Sequence, residues 1–82
     1  MPVVAIRADA SRPMGTGHLK RCLALAQALR DCGARVVFVT RAMDDVTPVL
    51  MRGCAFEIFW LGQSANCALR DAQDTADVLR AL

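Results

Sequence analysis

Two unbroken apolar runs, Val3-Val-Ala-Ile6 and Val36-Val-Phe-Val39, constrain what this chain can fold into more than any other feature. Neither run alternates, and a strand apolar on both sides belongs to a sheet covered on both faces. The first run predicts a buried strand between Pro2 and Ala8. The second predicts a strand from Arg35 to Arg41, made of β-formers with an arginine at each end. A third strand is expected from Ala55 to Leu61, with Phe56, Ile58 and Trp60 on one side and Glu57 and Phe59 on the other. Its mixed character places it at a sheet edge.

Between the first two strands, Leu19, Cys22, Leu23, Ala26 and Leu29 recur at i, i+3, i+4, i+7 and i+10. That spacing lines one face of a helix from Gly17 to Cys32, with Gly33 as its left-handed C′ residue. A shorter helix is expected to start after Asp44 or Asp45, to tolerate Pro48 in its first turn, and to stop at Gly53 with Arg52 at its negative end. A third helix is expected from Leu69 to Leu82. Ala72, Ala76 and Leu79 would form its inward face, with Asp71, Asp74 and Asp77 near its start or outside. Core packing is the default reading of Trp60, the sole tryptophan.

Three βα units with short connections predict an α/β fold: a parallel three-stranded, half Rossmann-like sheet of order 3-2-1 with flanking helices. The 82 residues suit one small domain, 1–82, without internal linker or repeat. In complete folds of this kind a fourth strand pairs beside the first. The chain therefore reads as a subdomain of a longer two-domain protein, and its open first-strand edge favours self-association.

With 55% hydrophobic and 22% charged residues the chain is neither disordered nor of low complexity. A net charge of +2 points to no nucleic-acid partner, and no apolar run reaches the roughly 20 residues of a membrane span. Of ten basic residues only Lys20 is lysine, a bias that genome composition explains as well as phosphate recognition does. Cys22, Cys32, Cys54 and Cys67 form no CxxC pair, and His18 is the single histidine, so no zinc site is expected. Cys22 and Cys32 lie about 15 Å apart along one helix, beyond the roughly 7 Å that a disulfide spans. Thiols without a disulfide framework predict a reducing cytoplasmic setting.

The stretch from Arg7 to Arg21 leaves the first strand and enters the first helix, where ligands of open α/β sheets bind. It is neither a P-loop, because His18 follows Gly17, nor a dinucleotide fingerprint, because Lys20 stands where a third glycine belongs. The positive end of a helix disfavours imidazolium, so His18 is placed to accept a proton as a general base. Free N–H groups of the same turn can bind an anionic oxygen, with Gly15 and Gly17 letting the backbone approach. The bland alternative is a tight turn carrying a surface histidine. Asp9 can orient His18 or hold a sugar hydroxyl, but accepting backbone N–H bonds is the preferred reading. Ser11 suits a ligand or the turn. Arg21 shares the face of His18, where it meets phosphate or solvent.

The run Arg7-Ala-Asp-Ala-Ser11, followed by Gly15-Thr-Gly-His18 and Arg21-Cys-Leu, resembles the opening of the UDP-sugar hydrolase family of pseudaminic acid biosynthesis. Trp60-Leu-Gly62, Asp71-Ala and Asp74-Thr resemble the stretch before that family's fourth strand. The family removes UDP from UDP-2,4-diacetamido-2,4,6-trideoxy-β-L-altropyranose, and is similar in fold to GT-B glycosyltransferases with two Rossmann-like domains. The resemblance implies His18 as the base that activates water. It implies Gly15, Thr16 and Gly17 as the loop approaching a UDP-sugar, with Asp9, Ser11 and Arg21 beside it, and it implies no cofactor. A C-terminal domain supplies most uridine and diphosphate contacts in the family, so these 82 residues alone are expected to be inactive. A transferase using the same histidine and a noncatalytic association module remain as alternatives.

Overall fold

The structure, a computed structural model, describes residues 2–9, 17–41, 56–62 and 67–82. Its elements are β1 (Val3–Arg7), α1 (Gly17–Asp31), β2 (Arg35–Arg41), β3 (Glu57–Leu61) and α2 (Ala68–Ala81). The strands lie in the order β1-β2-β3 and both pairings are parallel. The chain is thus α/β, with a three-stranded parallel sheet. The shorter helix expected before Gly53 lies outside the described residues. The predicted third strand begins at Glu57; Ala55 is outside the described residues and Phe56 sits in a bend.

Central placement explains the unbroken apolar run of β2, because Val37, Phe38 and Val39 have no exposed surface. In register, Val4 and Ile6 stand beside Val36 and Phe38, and Phe38 beside Ile58, so these side chains share one face. Helix α1 covers that face with Leu19 and Ala26 fully buried and with Cys22, Leu23 and Leu29 half-buried. The helix stripe read from the sequence is the one that packs. Phe56 closes the core edge-on to Phe38, with ring centroids 5.5 Å apart, and the Arg30 guanidinium lies 4.5 Å over the Phe56 ring.

Helix α1 ends at Asp31, one residue before the expected Cys32. Gly33 takes φ 96°, which lets its N–H donate to the Arg30 carbonyl while the Ala34 N–H donates to that of Leu29. This is a Schellman ending, and Ala34 packs in the same cluster as Leu29. It turns the chain directly into β2.

The last helix corrects the sequence reading. Ala72 is exposed, Ala76 is half-buried and Leu79 is 48% exposed, whereas Asp71 and Asp74 turn toward the sheet. The cause is the second face of the sheet, where Arg7 follows Ala5 along β1 and Arg41 follows Val37 and Val39 along β2, all on the same side. Leaving a buried guanidinium without a carboxylate costs several kcal/mol, more than the roughly 1.5–3 kcal/mol forgone by exposing a leucine. Asp77 stays outside and pairs with Arg80. Trp60, expected in the core, is 47% exposed because it sits on the edge strand. Among the described residues no helix is long and apolar enough to cross a membrane.

These packing differences predict a contrast between two leucines of one helix. Leu19→Ala should cost about 2–5 kcal/mol by opening a cavity under β2, while Leu25→Ala, at a site 54% exposed, should stay within about 0.5 kcal/mol. Equilibrium urea unfolding measures both. Equal losses would contradict the assignment of the α1 face.

Candidate functional site

All three strands of the parallel sheet end along one edge, at Arg7, Arg41 and Leu61, and ligands of such sheets bind outside that edge. Two constellations stand there. One is a network of arginines and aspartates; the other is the first turn of α1.

Arg41 is the centre of the network and is only 2% exposed. Its Nη1 donates to the Gly62 carbonyl just past β3. Its Nη2 donates to Asp71 Oδ1 and to Asp74 Oδ2 of α2, each at 3.0 Å, and its Nε reaches Asp71 Oδ1 at 3.3 Å. Arg7 shares Asp71, with Nη2 at 2.7 Å from the same Oδ1, while its Nη1 donates to Asp9 and to the Val39 carbonyl. Arg7 Nε is buried without a partner among the described residues. The hydrogen bond from Arg7, then that from Arg41, holds the Asp71 carboxyl below its ordinary range, against the opposing effect of burial.

Asp9 takes part in the same network. Its Oδ1 accepts the Arg41 backbone N–H at 2.8 Å and the Thr40 hydroxyl at 3.3 Å, as well as the Arg7 guanidinium. The carboxylate thus accepts a backbone N–H, as the sequence suggested, and among the described residues that N–H comes from β2. Its position follows from the strand: Ala8 continues the ladder by donating to the Val39 carbonyl, which brings the next residue alongside the end of β2. Arg70 adds a third cation, 3.2 Å from Asp74. Arg7, Arg41 and Arg70 therefore face Asp9, Asp71 and Asp74, so the cluster carries no surplus charge with which to attract a diphosphate.

The first turn of α1 is built differently. His18 is exposed, and its Nε2 lies 3.7 Å from Sγ of Cys22, one turn along the same face. The Arg21 guanidinium folds back along the turn, with Nη1 3.3 Å from where a Cβ on Gly17 would stand. Gly17 thus leaves room for that arginine. Its φ is not positive, so close approach rather than backbone conformation is what a side chain there would disturb. Ser11, Gly15 and Thr16 lie outside the described residues. A cation and an imidazole stand together at the start of α1, where backbone N–H groups lack partners within the helix, an arrangement able to hold an anionic oxygen and take up a proton.

Sequence reasoning did not find Arg41, Arg7, Asp71 and Asp74 as a unit. The signal was present: an arginine closes each of the first two apolar strands, and the two aspartates stand three positions apart on one helix. Among the described residues no group of three or more His, Cys, Asp and Glu side chains is arranged to hold a metal.

The lowered Asp71 carboxyl gives a signed prediction. A carboxylate depressed in the folded state contributes stability that is full above its unfolded value, about 3.9, and is lost as pH falls through the folded value. The urea midpoint should therefore drop below about pH 4, and Asp71→Asn should be less stable at neutral pH with a shallower acid decline. Parallel acid limbs in the two proteins would remove Asp71 from that role.

Comparison with known proteins adds nothing to the geometry: no family model, no curated protein and no solved structure matches this chain.

Proposed function

We propose that the chain is the N-terminal, Rossmann-like part of a UDP-sugar hydrolase, with His18 as general base. The observation that carries this reading is the position of His18, exposed in the first turn of α1 beside the Arg21 guanidinium. In the proposed reaction His18 takes a proton from water as it attacks the sugar–phosphate linkage, and UDP leaves. Arg21 and the helix start hold a phosphate oxygen, with Gly15, Thr16 and Gly17 as the loop that approaches it. The resemblance of Arg7-Ala-Asp-Ala-Ser11 and Gly15-Thr-Gly-His18 to the pseudaminic acid hydrolases supplies the substrate class. Ser11 belongs to that ligand loop, while Asp9 serves it by tying β1 to β2.

The reading treats the sheet as half of a doubly wound one, of order 3-2-1. The central place of β2 and its two parallel pairings support it. A cytoplasmic setting accords with the free thiols of Cys22, Cys32 and Cys67. A GT-B transferase would use the same base on a sugar hydroxyl in place of water.

The experiment joins this chain to the C-terminal domain that the family architecture requires and follows UDP release. His18→Ala should lower kcat by about 10²- to 10⁴-fold with UDP affinity nearly unchanged, because proton acceptance matters only in the transition state. Unchanged turnover would exclude His18 as the base. The 82 residues alone should release little UDP.

A second reading, an association module, is favoured by one observation: β1 is an edge strand and Val3 is 47% exposed. Among the described residues no strand pairs with its outer edge, where a second copy would add a strand. Sedimentation velocity should then show concentration-dependent dimers. A monomer at high concentration, with β1 amides exchanging freely, would sink it.

A further inference from the structure

We propose that Cys22 is a positioning residue that sets which ring nitrogen of His18 accepts the proton. Nε2–H donates to Cys22 Sγ, and Nδ1 is the basic nitrogen. The pairing rests on geometry: Nε2 and Sγ are 3.7 Å apart, within hydrogen-bond reach of the larger sulfur atom, and stand one helical turn apart. The direction of the bond rests on the hydrolase reading above.

The two partners differ in freedom. Cys22 is half-buried and packed against the core cluster that holds Leu19 and Ala26, so the sulfur is fixed by the apolar face of α1. His18 is exposed and its ring would otherwise turn freely. The sulfur is therefore the anchor. Asp9, just past the end of β1, is engaged by Arg7, Thr40 and the Arg41 backbone, while the neighbours on α1, Lys20 and Arg21, carry cations that cannot accept. Among the described residues, Cys22 is the one side chain within hydrogen-bonding distance of the imidazole.

Proton bookkeeping then fixes the direction. A neutral imidazole has one N–H and one bare nitrogen, and only the bare one accepts. Were the thiol to donate to Nε2, Nδ1 would hold the N–H and the sole basic nitrogen would already be occupied. With Nε2–H on the sulfur, Nδ1 takes the proton from water and the Nε2–H···Sγ contact persists in the imidazolium. No contact has to break during proton transfer.

His18 is the only histidine, so a ¹⁵N-labelled chain has a single imidazole to observe. Its tautomer is read from the two ring-nitrogen shifts at a pH where the ring is neutral. We expect the Nε2–H form in the wild type, the same form in Cys22→Asp, whose carboxylate can only accept, and a several-fold larger Nδ1–H fraction in Cys22→Ala. Cys32→Ala, at an exposed thiol one residue past α1, should match the wild type. Cys22→Ser, which keeps an acceptor of similar size, should also retain the Nε2–H form and serves if the aspartate does not fold. A wild type in the Nδ1–H form that flips in Cys22→Asp would overturn the proposal, since the thiol would then be the donor. A Cys22→Ala spectrum identical to the wild type would overturn it too. Neither readout depends on turnover: intact activity in His18→Ala would end the hydrolase reading and leave the tautomer where it was measured.

Discussion

A guanidinium buried at the carboxyl end of the central strand sets the terms for the rest of the molecule. Arg41 lies in the strand that both neighbours pair with, so its charge cannot move to solvent without disrupting the sheet. At an effective dielectric near 20, each charge pair at about 4 Å contributes roughly 4 kcal/mol, which is of the order of the desolvation penalty it must offset. The net gain is small. The cost of leaving the charge unpaired is large, and this asymmetry determines where β3 ends and where α2 lies. Gly62 offers its carbonyl and α2 brings two carboxylates, one of which also serves Arg7.

The two faces of the sheet are consequently held by different forces. On one face α1 presents Leu19 and Ala26 to Val36 and Phe38, an apolar contact that charge screening does not weaken. On the other, α2 has no buried residue and is located by ion pairs near its N-terminal end. Asp71 and Asp74 are partly exposed, so added salt screens these pairs only in part. The sheet and α1 form the apolar body, and α2 is an element whose attachment is electrostatic.

That division also explains what could be read from the amino-acid order. Periodicity reports apolar contacts, so the α1 stripe and the buried run of β2 are legible, as is Gly33, whose left-handed conformation follows from its place after the helix; β1, whose equally continuous run predicts a buried strand, is instead an edge strand with Val3 exposed and Val4 to Arg7 half-buried. Periodicity is silent about ion pairs between distant segments. For α2 it favoured Ala72 and Leu79 over Asp71 and Asp74, because nothing in a local window reveals that Arg7 and Arg41 need partners. Trp60 was misplaced for a related reason: an aromatic residue reads as core until the strand carrying it is known to be an edge. That His18 and Arg21 share one face at the start of α1 is legible from their spacing of three. The contact between His18 and Cys22 is not legible from periodicity, which places Cys22 in the packing stripe.

The separation in sequence between Arg41 and its carboxylates has a consequence during biosynthesis. Arg7 and Asp71 are 64 positions apart, and Arg41 precedes Asp71 by 30. At synthesis rates of about 5–20 residues per second, Arg41 is made some seconds before either acidic partner exists. As β1, α1 and β2 gather their apolar side chains, completing the sheet edge before Asp71 and Asp74 are in place would strand a positive charge in a dry environment. The nascent chain therefore has reason to stay open at that end, with the guanidinium hydrated, until the last helix has been made. Closure of the carboxyl edge is in this sense timed by translation.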